Sequence, residues 1–160
     1  MKTLMQVLSN TASPQQIEKH LRACDASFVP PLSGRVDLCA YAHKIWNKAQ
    51  RYEAWDHGEL VGLAAMYCNE QEGSGAFLTS MSTLAAERGR GIAARLVASC
   101  VEHARSRNLK WIELEVSDKN AVAVRLYEKH GFSFQSSVGT TGRMRLCLEG
   151  EVDRDKSTKL

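Results

Sequence analysis

The run AFLTSMSTLAAERGRGIAARLVASCVEHARSRNLKWIELEV, residues 76–116, limits the fold more than any other part of the chain. Residues 76–84 are apolar and β-prone, and a turn holding Gly89 and Gly91 separates them from a helical pattern. Counting from Ala93, the positions Leu96, Val97, Cys100, Val101 and Ala104 fall at i+3, i+4, i+7, i+8 and i+11, which marks one face of a long helix ending near Asn108. WIELEV, residues 111–116, then alternates apolar and acidic residues as a strand does. Strand, helix and strand joined in this way make a crossover within one sheet.

The flanking segments supply the rest of that sheet and its cover. SPQQIEKHLRACD sets Ser13 as a cap, Pro14 at the first helical position and Gln16 three residues after the cap, while Ile17, Leu21 and Cys24 share a face. Residues 35–49 repeat Val36, Leu38, Cys39, Ala42, Ile45 and Trp46 near helical spacing, so a second helix follows. The pair His57-Gly58 separates residues 52–56 from 59–69 and suits the tight turn of a β-hairpin, and QEGSG at 71–75 is a further turn. Residues 120–130 read as a helix stopped by Gly131, with His130 a favourable charge at its C-terminal end. Residues 132–138 and 143–149 close the chain as an antiparallel pair. The order implies an α/β (α+β) sandwich: a largely antiparallel sheet of about six or seven strands with helices on both faces.

At 160 residues and 44% hydrophobic content, the chain is long enough for one domain with its own core. That domain is expected over residues 1–150, followed by a polar tail at 151–160. No apolar run approaches the ~20 residues of a membrane span, and the N-terminus lacks the pattern of a secretion signal, so the expected location is cytoplasmic and away from membranes. The cysteines at 24, 39, 68, 100 and 147 stand singly in apolar segments, which suits reduced thiols and gives no metal-ligand spacing. A net charge of +3, with basic and acidic residues interleaved, does not suggest nucleic acid; it suits an anionic small molecule.

Glycines at a helix start let an anion reach main-chain N–H groups that have no partner within the helix. Residues 88–93, RGRGIA, have neither the spacing of a Walker loop nor that of a dinucleotide fingerprint. They match Q/R-x-x-G-x-G/A, and LEVSDKNAVAVRLYEKHGFSF, residues 114–134, matches L-E-V-x-x-x-N-x-x-A-x-x-L-Y-x-x-x-G-F. The two blocks in this order resemble the GCN5-related N-acetyltransferases, the GNAT family. One departure is Ala85-Ala86, where the family often carries Pro-Glu.

The resemblance implies an acetyl-CoA-dependent N-acetyltransferase that works without a metal and moves an acetyl group to a primary amine of a small molecule in a direct ternary complex. The loop Arg88, Gly89, Arg90, Gly91, Ile92 and Ala93 would hold the pyrophosphate, with main-chain contacts from Met81 and Thr83 to the acetyl and pantetheine groups. Asn120 would meet the pantetheine arm, and Tyr127 would donate a proton or hydrogen bond to the leaving thiolate. Asn120, Val124 and Tyr127 are spaced to share a helix face, though Asn120 also reads as a helix cap and Tyr127 as an amphipathic core edge. The preferred base is Glu115, which shares a strand face with Glu113 and Trp111; a solvated strand face reads equally well there. Within this segment LEV, N and LY resemble the ribosomal-protein alanine N-acetyltransferases, so acetylation of a protein N-terminus is an alternative, and a non-catalytic acyl-CoA-binding module is another. Phe28, Tyr41, Lys44, Tyr52, Tyr67, Asn69 and Glu70 are acceptor-site candidates, and the terminal strands and hairpin suit a homodimer.

Overall fold

The computed structural model describes residues 5–68 and 75–148. Through them run β1 (Gln6–Ser9), α1 (Pro14–Cys24), α2 (Leu38–Lys48), β2 (Gln50–Asp56), β3 (Glu59–Cys68), β4 (Gly75–Thr83), α3 (Ile92–Ser106), β5 (Trp111–Ser117), α4 (Ala121–Lys129), β6 (Ser133–Val138) and β7 (Thr141–Cys147). The polar tail and most of the expected turn at 71–75 lie outside the described residues.

Local chemistry sets the element ends. Ser13 Oγ accepts from the Gln16 N–H at 3.1 Å while Gln16 Oε1 accepts from the Ser13 N–H at 2.9 Å, so α1 opens with the expected capping box. α2 begins at Leu38, two residues later than its apolar pattern, because the Asp37 carboxylate accepts the Ala40 N–H at 3.0 Å and caps the helix there. His57 and Gly58, at φ 53° and 73°, make the hairpin turn. His130 Nδ1 bonds the Leu126 carbonyl at 3.0 Å and closes α4. β1 went unread in the sequence: its four residues are mostly exposed, and pairing with β2, from Gln6 against Trp55 to Ser9 against Tyr52, makes it a strand.

The sheet order is β1-β2-β3-β4-β5-β7-β6, and every pair is antiparallel except β4 with β5. One face, carrying Ala64, Leu78, Ile112, Leu114 and Met144, packs on Ile92, Leu96, Val97 and Cys100 of α3 and Tyr127 of α4. The other, carrying Leu63 and Ala65, packs on Ile17 and Leu21 of α1 and Ala42 and Ile45 of α2.

Two irregularities open the middle of this sheet. The parallel pairing runs only from Gly75 against Trp111 to Leu78 against Leu114. Beyond it β4 continues along β3 to Thr83, while β5 continues along β7 to Ser117. The register of β3 and β4 also shifts at the same level: Met66 faces Leu78 and Ala65 faces Ser80, which leaves Thr79 as an extra residue in β4. A bulge of this kind bends its strand and sharpens its twist, and here it turns β4 away from β5.

A buried ion pair fastens the start of α1 to the sheet. The Glu53 carboxylate, fully buried, accepts from Thr11 N–H (2.8 Å), Thr11 Oγ1 (2.7 Å), Ala12 N–H (3.1 Å) and Arg51 Nε (2.8 Å). Arg51 in turn donates to the carbonyls of Trp46 and Ala12 at 2.9 and 3.2 Å. Glu53→Ala leaves a buried guanidinium without its counter-charge, a loss of about 3–5 kcal/mol for such pairs. Urea unfolding of that variant should show the loss in its midpoint, and Glu53→Gln, which keeps some of the acceptors, should lose less.

Candidate active site

The turn between β4 and α3 carries a row of unused donors. Gly89 and Gly91 adopt φ 86° and 75°, the left-handed region, and a Cβ at either would meet nothing within 4 Å. The glycines are therefore required by the backbone path and leave open space in front of it. Gly91 caps α3 without any side-chain bond, and the first N–H of the helix to find a partner is Arg95, on Gly91 O at 3.1 Å. Among the described residues, the main-chain N–H groups of residues 89–94 donate to no protein acceptor. Together with the helix dipole they form a nest for an anion.

The two arginines of the turn differ. Arg90 donates to Asp56 Oδ2 at 2.9 Å and to Glu87, and these bonds hold both its own protonated form and the Asp56 carboxylate in place. Its side chain braces the turn against the β2–β3 hairpin. Arg88 is exposed and makes no ion pair among the described residues, so its charge is the one available to a ligand.

From Thr79 to Thr83 one edge of β4 has no strand beside it, and this segment leads straight into the nest. Ser80 Oγ and Thr83 Oγ1 are buried there without a hydrogen-bond partner, a cost of roughly 1–3 kcal/mol per group unless something else bonds them. Met81 and Thr83 alternate with Ser80 and Ser82, so Met81 lies on the α3 face with the rest of that core. Asn120 caps α4 through the Ala123 N–H at 3.2 Å, which uses its carbonyl oxygen and leaves its amide nitrogen to other partners. Tyr127 is 8% exposed, its ring 5.7 Å from that of Phe132. Burial pushes its phenol well above the ordinary tyrosine range, so it stays protonated across working pH.

The acceptor-side residues lie on the opposite face. Tyr41 donates to the Thr79 carbonyl at 2.8 Å, Lys44 Nζ stands 5.4 Å from the centre of the Tyr67 ring, and Phe28 packs beside the α1–α2 core. Tyr67 also lines a cleft of about 270 Å³ with Cys68, Gly75, Ala76, Phe77, Trp111 and Glu113. The Glu113 carboxylate accepts from Arg145 Nε at 2.8 Å, and that guanidinium lies 4.5 Å over the Trp111 ring. Glu115 is more open, its side chain 52% exposed and 3.2 Å from Arg143. Tyr127 and Glu115 thus stand on the two sides of the sheet, and the gap between β4 and β5 is what connects them. Tyr52 departs from its expected place: it packs on the α3 face, edge-on to His103 at 6.1 Å. Asn69 and Glu70 lie outside the described residues.

Sequence reading missed His20 and Ser82. His20 is 2% exposed; its Nδ1 stands 3.0 Å from the Leu60 carbonyl and its Nε2 2.9 Å from Ser82 Oγ. The only sequence signal was a histidine on the apolar face of α1, four residues before Cys24, with no hint of a partner 62 residues away. Cys24 and Cys100 are buried, and burial pushes the Cys24 thiol up and the Cys100 thiol up to about 12, so neither supplies a thiolate.

Comparison with known proteins returns a consistent result. The family model described as "Acetyltransferase (GNAT) family" matches residues 15–132. PH1933 from Pyrococcus horikoshii OT3 superposes with a TM-score of 0.73 at 22% identity, covering 90% of this chain and 98% of that one. A ribosomal-protein-alanine N-acetyltransferase from Brucella melitensis gives 0.70 at 21% identity, covering 88% and 99%. A PaiA N-acetyltransferase from Thermoplasma acidophilum, solved in complex with coenzyme A, gives 0.68 at 13% identity, covering 89% and 99%. These likenesses show a shared fold. No curated protein matches the chain.

Because the space around Gly91 is open, Gly91→Ala isolates the cost of the left-handed backbone from any clash. We expect a loss of about 1–2 kcal/mol in thermal or urea unfolding, the cost of that conformation for a residue bearing Cβ. Gly34→Ala, at a glycine with an ordinary φ and equally open space, should cost less.

Proposed function

The chain belongs to the GNAT acetyltransferase family and is an acyltransferase, and from that premise we propose that it moves the acetyl group of acetyl-CoA directly to a primary amine of a small molecule. The observation that carries this reading is the row of unpartnered N–H groups at residues 89–94, continuous with the unpaired edge of β4. A diphosphate seated on the nest would have its pantetheine arm led along β4 toward the gap. Main-chain groups of Met81 and Thr83, the orphaned hydroxyls of Ser80 and Thr83, and the free amide nitrogen of Asn120 supply polar contacts along that path.

The chemistry then divides between the two faces. An amine entering from the α1–α2 side attacks the thioester carbonyl in the gap, and the electron pair of the breaking C–S bond goes to sulfur. Tyr127, on the α3 side, hydrogen-bonds the thiolate as it forms. An ordinary thiol titrates near 8.5, below this buried phenol, so Tyr127 stabilises the thiolate by donating a hydrogen bond and does not surrender its proton. Glu113 and Glu115, paired with Arg145 and Arg143, line the acceptor side near the cleft beside Trp111, Phe77 and Tyr67. The cleft volume suits a small acceptor.

A second reading is acetylation of a protein N-terminus, favoured by the residues LEV, Asn120 and LY that the ribosomal-protein alanine enzymes share. Release of coenzyme A, measured against a panel of small primary amines and a library of peptides, separates the two by which class turns over. Acetyl-CoA binding without turnover of either class would overturn both in favour of a non-catalytic binding module.

Two variants test the assigned parts. Tyr127→Phe should bind acetyl-CoA as the parent does and lose roughly 10²-fold or more in kcat, the usual scale for removing one preorganised donor. The double variant Gly89→Pro/Gly91→Val should lose coenzyme A binding in calorimetry. A folded double variant that binds as tightly as the parent would remove the basis for the donor site.

A further inference from the structure

β4 carries no carboxylate, yet one of its side chains is wired to a base. The Leu60 carbonyl can only accept, so the 3.0 Å contact fixes the His20 proton on Nδ1. Burial lowers the tendency of this ring to charge, so it is neutral at pH 7. Nε2 is then an acceptor, and the hydrogen of Ser82, 2.9 Å away, points at it. Ser82 Oγ, donating to Nε2, keeps its lone pairs to accept with. It is half-buried, on the stretch of β4 that β5 has left, and on the α1–α2 face from which the acceptor enters.

We propose that Ser82 and His20 are the proton relay of the transfer reaction, Ser82 accepting from the attacking amine and His20 holding the proton. This rests on the acetyl-transfer reading above. The amine attacks in its neutral form, its ammonium proton already given up to solvent; as the nitrogen bonds to the acetyl carbon, it sheds a second proton to Ser82 Oγ while the Ser82 hydrogen passes to His20 Nε2. The Leu60 carbonyl, already bonded to Nδ1–H, stabilises the imidazolium so formed. The C–S bond breaks with its electron pair on sulfur, held by Tyr127. The His20 proton returns to solvent through Ser82 when product leaves, and the thiolate takes one from solvent, so atoms and charges balance. Ser82 is then the catalytic residue and His20 acts through it.

The surroundings of His20 suit this role. Among the described residues, β3 and β4 present it the Leu60 carbonyl and Ser82, through both its hydroxyl and its main chain, and no charged group bears on it directly. Cys24, one turn along α1, has its Sγ 3.6 Å from Nε2 as a buried thiol, and the Arg88 charge reaches that thiol from the loop. Glu115, by contrast, is exposed and engaged by Arg143.

The test uses the full chain with acetyl-CoA and 2-phenylethylamine as the probe amine. Ser82→Ala and His20→Gln should each lose roughly 10²-fold in kcat, the lower range for general-base catalysis, with acetyl-CoA binding unchanged. Ser82→Thr, which keeps the hydroxyl, should recover most of the rate. The parent should also lose kcat on the acid side below the ordinary histidine range, where the ring protonates and can no longer accept, and Ser82→Ala should lack that limb. Folded variants with parental kcat and the same acid limb would reduce the pair to a structural bond while leaving the transfer reading intact. Should 2-phenylethylamine not be acetylated, nitrogen NMR of His20 decides the relay independently. A neutral ring protonated at Nδ1, whose Nε2 resonance moves in Ser82→Ala, supports it; an imidazolium or an Nε2–H ring at pH 7 overturns it.

Discussion

The short parallel pairing of β4 with β5 is the constraint on which the rest of the molecule depends. Two strands joined by a helical crossover must sit in one sheet, and here they touch for only the length from Gly75 to Leu78. Each then finds a different antiparallel partner, β3 for one and β7 for the other, so the divergence costs few main-chain hydrogen bonds on the outer edges. Along the stretch of β4 that β5 has left, the hydroxyls of Ser80 and Thr83 find no partner among protein atoms. A sheet normally divides its two faces. This one parts at its middle, and in the proposed reading that is where a donor held by α3 meets an acceptor on the side of α1 and α2.

The anion nest would be of little use if α3 did not sit close to the sheet. Gly62 on β3 permits that: a Cβ there would come within 2.7 Å of Ile92 Cγ2 and 3.1 Å of Leu96, both buried. Ile92 is the first residue of α3, so the missing side chain on β3 sets the height of the helix start above the sheet. Arg90 adds a lateral brace through Asp56, which ties the turn to the β2–β3 hairpin. Position and orientation of the donors therefore come from packing and one ion pair, while the glycines supply only the path of the chain.

What the sequence made legible follows from where its signals are local. The crossover, the capping box at Ser13, the hairpin turn at His57-Gly58 and the nest all depend on residues within a few positions of one another, and periodicity or turn chemistry reports them. β1 was not legible because its strand character comes from β2 and not from any alternation of its own. The start of α2 was misplaced because the apolar pattern extends upstream of Asp37, and only the cap decides where the helix begins. At the site, Tyr127 and Asn120 were readable from a motif on one helix. Ser82 and His20 were not, since their bond joins β4 to α1 across most of the domain and neither residue is unusual in its own segment.

The arrangement also bears on why transfer should be direct. A covalent acyl-enzyme needs a nucleophile that ionises easily, and the two buried thiols, Cys24 and Cys100, are the wrong kind. Cys100 lies in the core beside Tyr127, and burial drives its thiol up to about 12. Cys24 is likewise buried, with its pKa raised, and its contact with His20 is longer than the one His20 makes with Ser82. Ser82 itself could be read as a nucleophile, since a serine bonded to a neutral histidine is how many acyl-enzymes begin. The fold weighs against that. A route through an acyl-serine must exclude the amine during the first step and then admit water or amine in the second, whereas a gap open to both faces admits donor and acceptor together. With both reactants held at one carbon, the entropic cost of bringing them together is met by binding, and a side chain that only moves a proton is sufficient.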